Sequence, residues 1–161
     1  MEHLSLNNLS QQAIALLQQL ITIPSYSREE DKTADLLVAF MQQHGFTPQR
    51  IGNNVILRSK QHDAAKPTVL LNSHHDTVKP NAAYTRNAFE ASVEDGKLYG
   101  LGSNDAGGAL VSLLATFMHF DAIDGLPFNL IYAASAEEEV SGSSGIESII
   151  DALGHVDVAI V

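Results

Sequence analysis

The chain has no cysteine and no tryptophan among its 161 residues, and no lysine or arginine beyond Lys97. Without cysteine there are no disulfides, no thiolate nucleophile and no cysteine-ligated zinc, and a cytoplasmic setting is the default expectation. No run of about 18 apolar residues is present, so no helix is expected to span a membrane. The first seven residues lack the basic stretch and apolar core of a secretory signal. Positive charge is scarce: 9 Lys and Arg stand against 19 Asp and Glu, for a net charge of −10. That balance argues against a nucleic-acid partner, whose phosphates call for basic patches. With 45% apolar and 17% charged residues the composition is nevertheless that of a folded protein. A chain of this length can form one domain that buries roughly two-thirds of its unfolded surface.

The deficit is uneven. The first 97 residues carry −1 and the last 64 carry −9. A half with no cation of its own points either to a solvated acidic surface or to a cationic partner such as a bound metal.

Apolar residues at helical spacing predict an amphipathic helix over Ser10–Ile21, ended by Pro24. Ser27-Arg28-Glu29-Glu30 has the form of a capping box with Ser27 as N-cap. It opens a helix carrying Leu36, Leu37, Phe40 and Met41 and closed at Gly45. Short strands are expected around Phe46–Ile51 and Asn54–Ser59, and a central buried strand over Thr68–Leu71. Residues 81–96 have weak periodicity and read as a long excursion with a turn at Glu94-Asp95-Gly96. A largely buried helix over Gly108–His119, a strand over Phe128–Ala134, a short helix over Ile146–Leu153 and a strand over Val156–Val161 follow. This alternation predicts an α/β fold, a mostly parallel sheet covered by helices.

Three polar clusters stand beside these elements. Asn72-Ser73-His74-His75-Asp76-Thr77 follows the central strand, where residues i and i+2 share a face. His74 and Asp76 thus point the same way, as a metal-bound imidazole and the carboxylate that fixes its tautomer must; His75 faces away. Tyr99-Gly100-Leu101-Gly102-Ser103-Asn104-Asp105-Ala106-Gly107-Gly108 precedes a helix, but Asp105 occupies the place of the third glycine of a dinucleotide-binding turn, and no P-loop lysine follows. A carboxylate there suits a cation, or simply caps the helix. Ala136-Glu137-Glu138-Glu139-Val140-Ser141-Gly142 closes the second apolar strand, and three adjacent carboxylates favour a bound cation or a solvated loop. Singly, each cluster has an ordinary structural explanation. Together they set His, Asp and Glu in three loops that a parallel sheet brings to one edge, a donor set suited to zinc, manganese or cobalt.

These residues resemble the di-zinc hydrolase family that contains acetylornithine deacetylase, succinyl-diaminopimelate desuccinylase, aminoacylase and glutamate carboxypeptidase. Ile23-Pro24-Ser25 resembles its early I-P-S turn, and His74-His75-Asp76-Thr77-Val78 its H-x-D-x-V. Asp95–Asp105 resembles its D-G-x-x-x-G-R-G-x-x-D, with Leu101 where Arg is common, and Glu137–Gly142 its D-E-E-x-x-G. The wording of Ser73–Pro80 and Leu101–Gly108 is most similar to the acetylornithine (or succinylornithine) deacetylase branch, which implies deacylation of an N-acyl amino acid in arginine biosynthesis. A dipeptidase or carboxypeptidase of the same family is the alternative, and a non-catalytic binding domain a third reading.

The resemblance implies two divalent metal ions, zinc by preference, with cobalt or manganese possible. His74 would ligate one, Asp105 would bridge both and Glu139 would ligate the second. Glu138 would be the general base for the water that attacks the amide, and Asp76 would orient His74. A cis peptide at Asp105-Ala106 is a further family trait. The family's later acidic ligand, its C-terminal histidine and its inserted lid domain, through which members dimerise, have no counterpart in residues 1–161. The expectation is therefore the N-terminal portion of a catalytic domain, inactive alone, and a homodimer at full length. His3, His44, His62, His119 and His155 are expected to be ordinary surface or core histidines.

Overall fold

The computed structural model describes residues 5–161; the readings made for the first four residues, His3 included, lie outside them. The first helix, α1, runs Leu6–Ile21, four residues longer at its start than its apolar spacing indicates, because the Ser5 hydroxyl caps the Asn8 N–H at 3.3 Å. The second, α2, spans Asp31–Gln43, and Gly45 follows it with φ +80°.

Ser27 is not its cap. The helix begins at Asp31 behind Glu30, which makes no side-chain capping bond, and the Ser27 hydroxyl donates instead to Asp76. The S-x-x-E pattern makes one local bond, from the Arg28 N–H to Glu30 at 2.7 Å, and its other side-chain partners are long-range.

Seven strands follow in the order β1 (Gln49–Ile51), β2 (Asn54–Arg58), β3 (Thr68–His74), β4 (Ser92–Glu94), β5 (Lys97–Tyr99), β6 (Asn129–Ser135) and β7 (Val158–Ile160). Five form one sheet, ordered β1-β2-β6-β3-β7. Only β2 is reversed, since it pairs antiparallel with both β1 and β6 while β3 runs parallel to β6 and β7. The mostly parallel, helix-covered sheet is the architecture expected. The hairpin β4–β5 stands apart as a second sheet and was not foreseen, its strands being too short to show a period.

Side chains alternate across the sheet as the pleat requires. Val55, Leu57, Leu71, Leu130, Tyr132 and Ala134 face α1, α2 and α3 (Gly108–Asp121). Ile56, Leu70, Ile131 and Ala133 face the opposite layer, where Ile149 and Leu153 pack. That layer is a 3₁₀ turn, Ile146–Ile149, running into the one-turn helix α4 (Ile150–Leu153), in place of the single short helix expected. With both faces covered, the central strands β3 and β6 are continuous apolar runs, and polar side chains are confined to their ends.

Phe117, fully buried, lies edge-on to Phe46 at 5.8 Å and beside Tyr132 at 6.5 Å, joining α3 to the sheet. Phe117→Ala should lower the unfolding free energy by about 3–5 kcal/mol, read by urea denaturation.

Candidate metal centre

Parallel pairing places the carboxyl ends of β3 and β6 side by side, with His74 opposite Ser135. The residues just past those ends therefore share one edge. Asp105 arrives from a third direction, in the wide turn Ser103–Gly107 that leads into α3, and the Asp105-Ala106 peptide is cis. Its carboxylate is largely exposed and no side chain caps α3, so the capping alternative does not hold.

At the centre lies Asp76, with no solvent exposure. Its Oδ2 accepts the Ser27 hydroxyl at 2.7 Å and the Glu139 N–H at 3.1 Å, and its Oδ1 accepts the Glu138 N–H at 3.1 Å. The Nδ1 of His74 lies 3.4 Å from Asp76 Oδ1 and donates to the Asp76 carbonyl at 3.1 Å. That contact fixes the ring and turns Nε2 outward, 3.1 Å from Asp105 Oδ1 and 3.6 Å from Glu138 Oε2.

The expected same-side arrangement of His74 and Asp76 is thus present. His75 faces the other way and is buried. Burial pulls its pKa below 6.5, so the neutral ring donates Nε2–H to the Asn53 carbonyl and accepts from Thr33 at Nδ1, both at 2.9 Å.

His74, Asp105 and Glu139 each offer one ligand atom, and the three atoms lie within 4.8 Å of one another. One imidazole nitrogen and two carboxylate oxygens fit a borderline divalent cation. Burial, with the nearby charge of Asp105 behind it, pushes the Glu139 carboxyl above its ordinary value, a crowding that a cation relieves.

Glu138 sits beside this trio, more than half exposed. The first member of the acidic run differs: Glu137 is buried, with its carboxylate 3.7 Å from Arg28, so the Glu137–Glu139 run is not a solvated loop. Glu137 and Ser141 take left-handed φ values of +53° and +47°, and the Gly142 N–H closes the turn on the Glu137 carbonyl at 2.9 Å. A larger residue at Gly142 would displace the turn, since a Cβ there would lie 2.7 Å from the Cβ of Glu137, an atom fixed to the backbone.

The supporting residues Ser27, Glu30, Asn53 and Asn54 were not among those expected. Asn54, fully buried, accepts the Ala136 N–H at 2.9 Å and donates to the Ser144 carbonyl at 2.7 Å, pinning the exit from β6. A serine or glutamate ahead of a helix reads as a cap by default, and only their partners, far away in sequence, show otherwise.

Residues 70–161 match peptidase family M20/M25/M40, and the chain belongs to that family. It is 28% identical over 145 residues to a succinyl-diaminopimelate desuccinylase of a Caulobacter species and 28% over 144 residues to that of Maricaulis maris. These alignments cover 88% and 87% of this chain but 37% of each relative, so the chain spans a little over a third of their length. Among solved structures, an M20 family metallo-carboxypeptidase from Sulfolobus solfataricus superimposes with a TM-score of 0.74 at 24% identity, over 92% of this chain and 36% of its own. A dinuclear metal-binding M20 peptidase from Bacillus subtilis gives 0.70 at 16% identity, over 95% and 42%. At these identities the structural likeness carries the fold.

The Asp76–His74 pair has a pH signature. Burial works against the charge on His74, but the hydrogen bonds and charge of Asp76, with Glu138 beyond, outweigh it and raise its pKa from 6.5 to about 9. Burial likewise opposes the Asp76 carboxylate, yet His74, Ser27 and the two amides hold it at about 2, below the usual 3.8. The carboxylate's contribution is present above its unfolded value and fades as pH falls through about 2; the imidazolium's is full below 6.5 and fades as pH rises through about 9. In metal-free protein, Asp76→Asn should cost about 3 kcal/mol near pH 5–6, and the difference should shrink toward pH 2 and above pH 9. Urea denaturation in the presence of a chelator measures it, and a pH-independent difference would refute the ion pair.

Proposed function

We propose that this chain is the N-terminal portion of the catalytic domain of a cytoplasmic, metal-dependent amidohydrolase that cleaves the amide bond of an N-acyl amino acid. The observation that carries this reading is the convergence of His74, Asp105 and Glu139 to within 4.8 Å, with the free carboxylate of Glu138 3.6 Å from His74. In this reading His74 and Glu139 would each hold one of two divalent ions, zinc by preference, and Asp105 would be shared between them.

What such ions supply when bound is Lewis acidity, acidifying a water and polarising the amide carbonyl. The side chains do the rest. Asp76 holds Nδ1 of His74 so that Nε2 is the ligating nitrogen. Glu138, kept off the ligand set by the turn that presents Glu139, accepts the proton of the attacking water and returns it to the departing amine. Three ligands do not complete two coordination spheres. The remaining donors, and a lid through which the protein dimerises, belong in this proposal to the length that relatives have beyond the matched third.

The acyl substrate we assign is N-acetylornithine or N-succinylornithine, on the wording of Ser73–Pro80 and Leu101–Gly108. The match to two succinyl-diaminopimelate desuccinylases favours N-succinyl-diaminopimelate as the competing substrate.

Each of His74→Ala, Asp105→Ala and Glu139→Ala should weaken Zn²⁺ binding by about 100-fold or more, read by titration calorimetry, while Glu138→Gln leaves it unchanged. In protein of the relatives' full length, Glu138→Gln should retain metal and lose turnover by a factor of about 10²–10⁴ or more. Loss of metal from that variant would assign Glu138 to the ligand set instead. Comparing hydrolysis of N-acetylornithine, N-succinyl-diaminopimelate and a dipeptide by the same protein separates the substrate readings.

A further inference from the structure

Among the described residues two carboxylates have no solvent exposure: Asp76 and Glu30. Glu30 is not near the ligand atoms, yet its three hydrogen bonds lead there. Its Oε1 accepts the backbone N–H of Arg28 at 2.7 Å and that of Glu137 at 3.1 Å, and its Oε2 accepts Nδ2 of Asn53 at 2.9 Å. Glu137 immediately precedes the base and the ligand.

Three consecutive amides, those of Glu137, Glu138 and Glu139, therefore donate to buried carboxylate oxygens: the first to Glu30 Oε1, the second and third to Asp76 Oδ1 and Oδ2. Successive N–H groups converge in this way when a left-handed residue precedes right-handed ones, forming a concave anion site. Glu137 at φ +53° supplies the left-handed residue, a conformation uncommon outside glycine that persists where surroundings hold it. Here two carboxylates fill the concavity.

We propose that Glu30 is a positioning residue of the metal centre. Its carboxylate anchors the first amide of the Glu137–Gly142 turn and so sets the directions of the Glu138 and Glu139 side chains. This rests on the metal-centre reading above. An acceptor-only group is required, because all three partners of Glu30 are donors. Glutamine in its place keeps the shape but turns an NH₂ toward the Asn53 NH₂. Asn53 cannot rotate its amide to accommodate this without withdrawing Oδ1 from Arg50 Nη2, 3.0 Å away. Asn53→Asp removes the conflict, since a carboxylate accepts from both the new amide and Arg50.

The test uses Glu30→Gln, Asn53→Asp and the double variant in the 161-residue chain, with Co²⁺ alone as the probe, followed by its visible absorption. Hydrogen exchange of the Glu137, Glu138 and Glu139 amides is read in the metal-free state, with Leu71 and Ile131 as core controls. Glu30→Gln should weaken Co²⁺ binding about tenfold and speed exchange at the three turn amides but not at the controls, and the double variant should restore both. Unchanged Co²⁺ affinity and unchanged exchange in Glu30→Gln would overturn the proposal. So would a double variant that regains thermal stability without regaining Co²⁺ affinity, because the role would then be structural only. If the unsubstituted chain binds no Co²⁺ while the exchange pattern and its rescue hold, Glu30 stands as the anchor of the turn and the metal-centre reading is what fails.

Discussion

Everything at the site depends on one buried negative charge. Burying a carboxylate is costly unless donors replace the water it loses. Asp76 meets a hydroxyl, two backbone amides and an imidazole, each from a different piece of the chain or a different side of the group. Those partners are also what the carboxylate holds in place: the loop ahead of α2, the end of β3 and the turn after β6. The charge therefore organises the site and is stabilised by it. Removing it leaves two amides and the imidazole of His74 without their shared acceptor.

The sheet supplies the frame in which such a charge can act. Because β3 and β6 run the same way, both release the chain at the same edge, and this alone makes His74 and the acidic turn neighbours. Asp105 comes from outside the strands. The turn that carries it is packed from behind, Ser73 Oγ lying 3.4 Å from the Ala106 carbonyl, so its placement follows from how α3 docks on the sheet. Three routes into one small volume explain why a chain with little positive charge of its own concentrates carboxylates there.

Legibility in the sequence tracked the range of the interaction. The apolar runs of β3 and β6 and the i, i+2 relation of His74 to Asp76 are local, and both could be read directly from residue spacing. The S-x-x-E pattern at Ser27–Glu30 is local in one bond only, the Arg28 N–H that Glu30 accepts. Its partners Asp76 and Glu137 lie 49 and 107 residues away, and no pattern within a window reveals them. Nothing in the acidic run marks Glu137 as the buried member, whereas a left-handed backbone and the absent Cβ of Gly142 give it a buried place. The hairpin β4–β5 was hidden for a different reason: three-residue strands, held in part by the Arg86–Glu94 pair and by Arg86 stacked 3.9 Å over Tyr99, carry too few residues to show alternation.

The reach of these bonds bears on the order in which the protein assembles. Contacts that close long loops form late, since chain entropy must be overcome before they return anything. The helices and the β1–β2 hairpin involve near neighbours, but the bonds that shape the candidate metal centre join residues 49, 62, 63 and 107 positions apart. On a ribosome the strands β1 to β3 and helices α1 and α2 emerge well before Glu137–Glu139. Until that turn arrives, Asp76 and Glu30 lack the amides that later satisfy them. Within these residues the candidate centre therefore takes shape only once the Glu137–Glu139 turn has joined the strands and helices made before it.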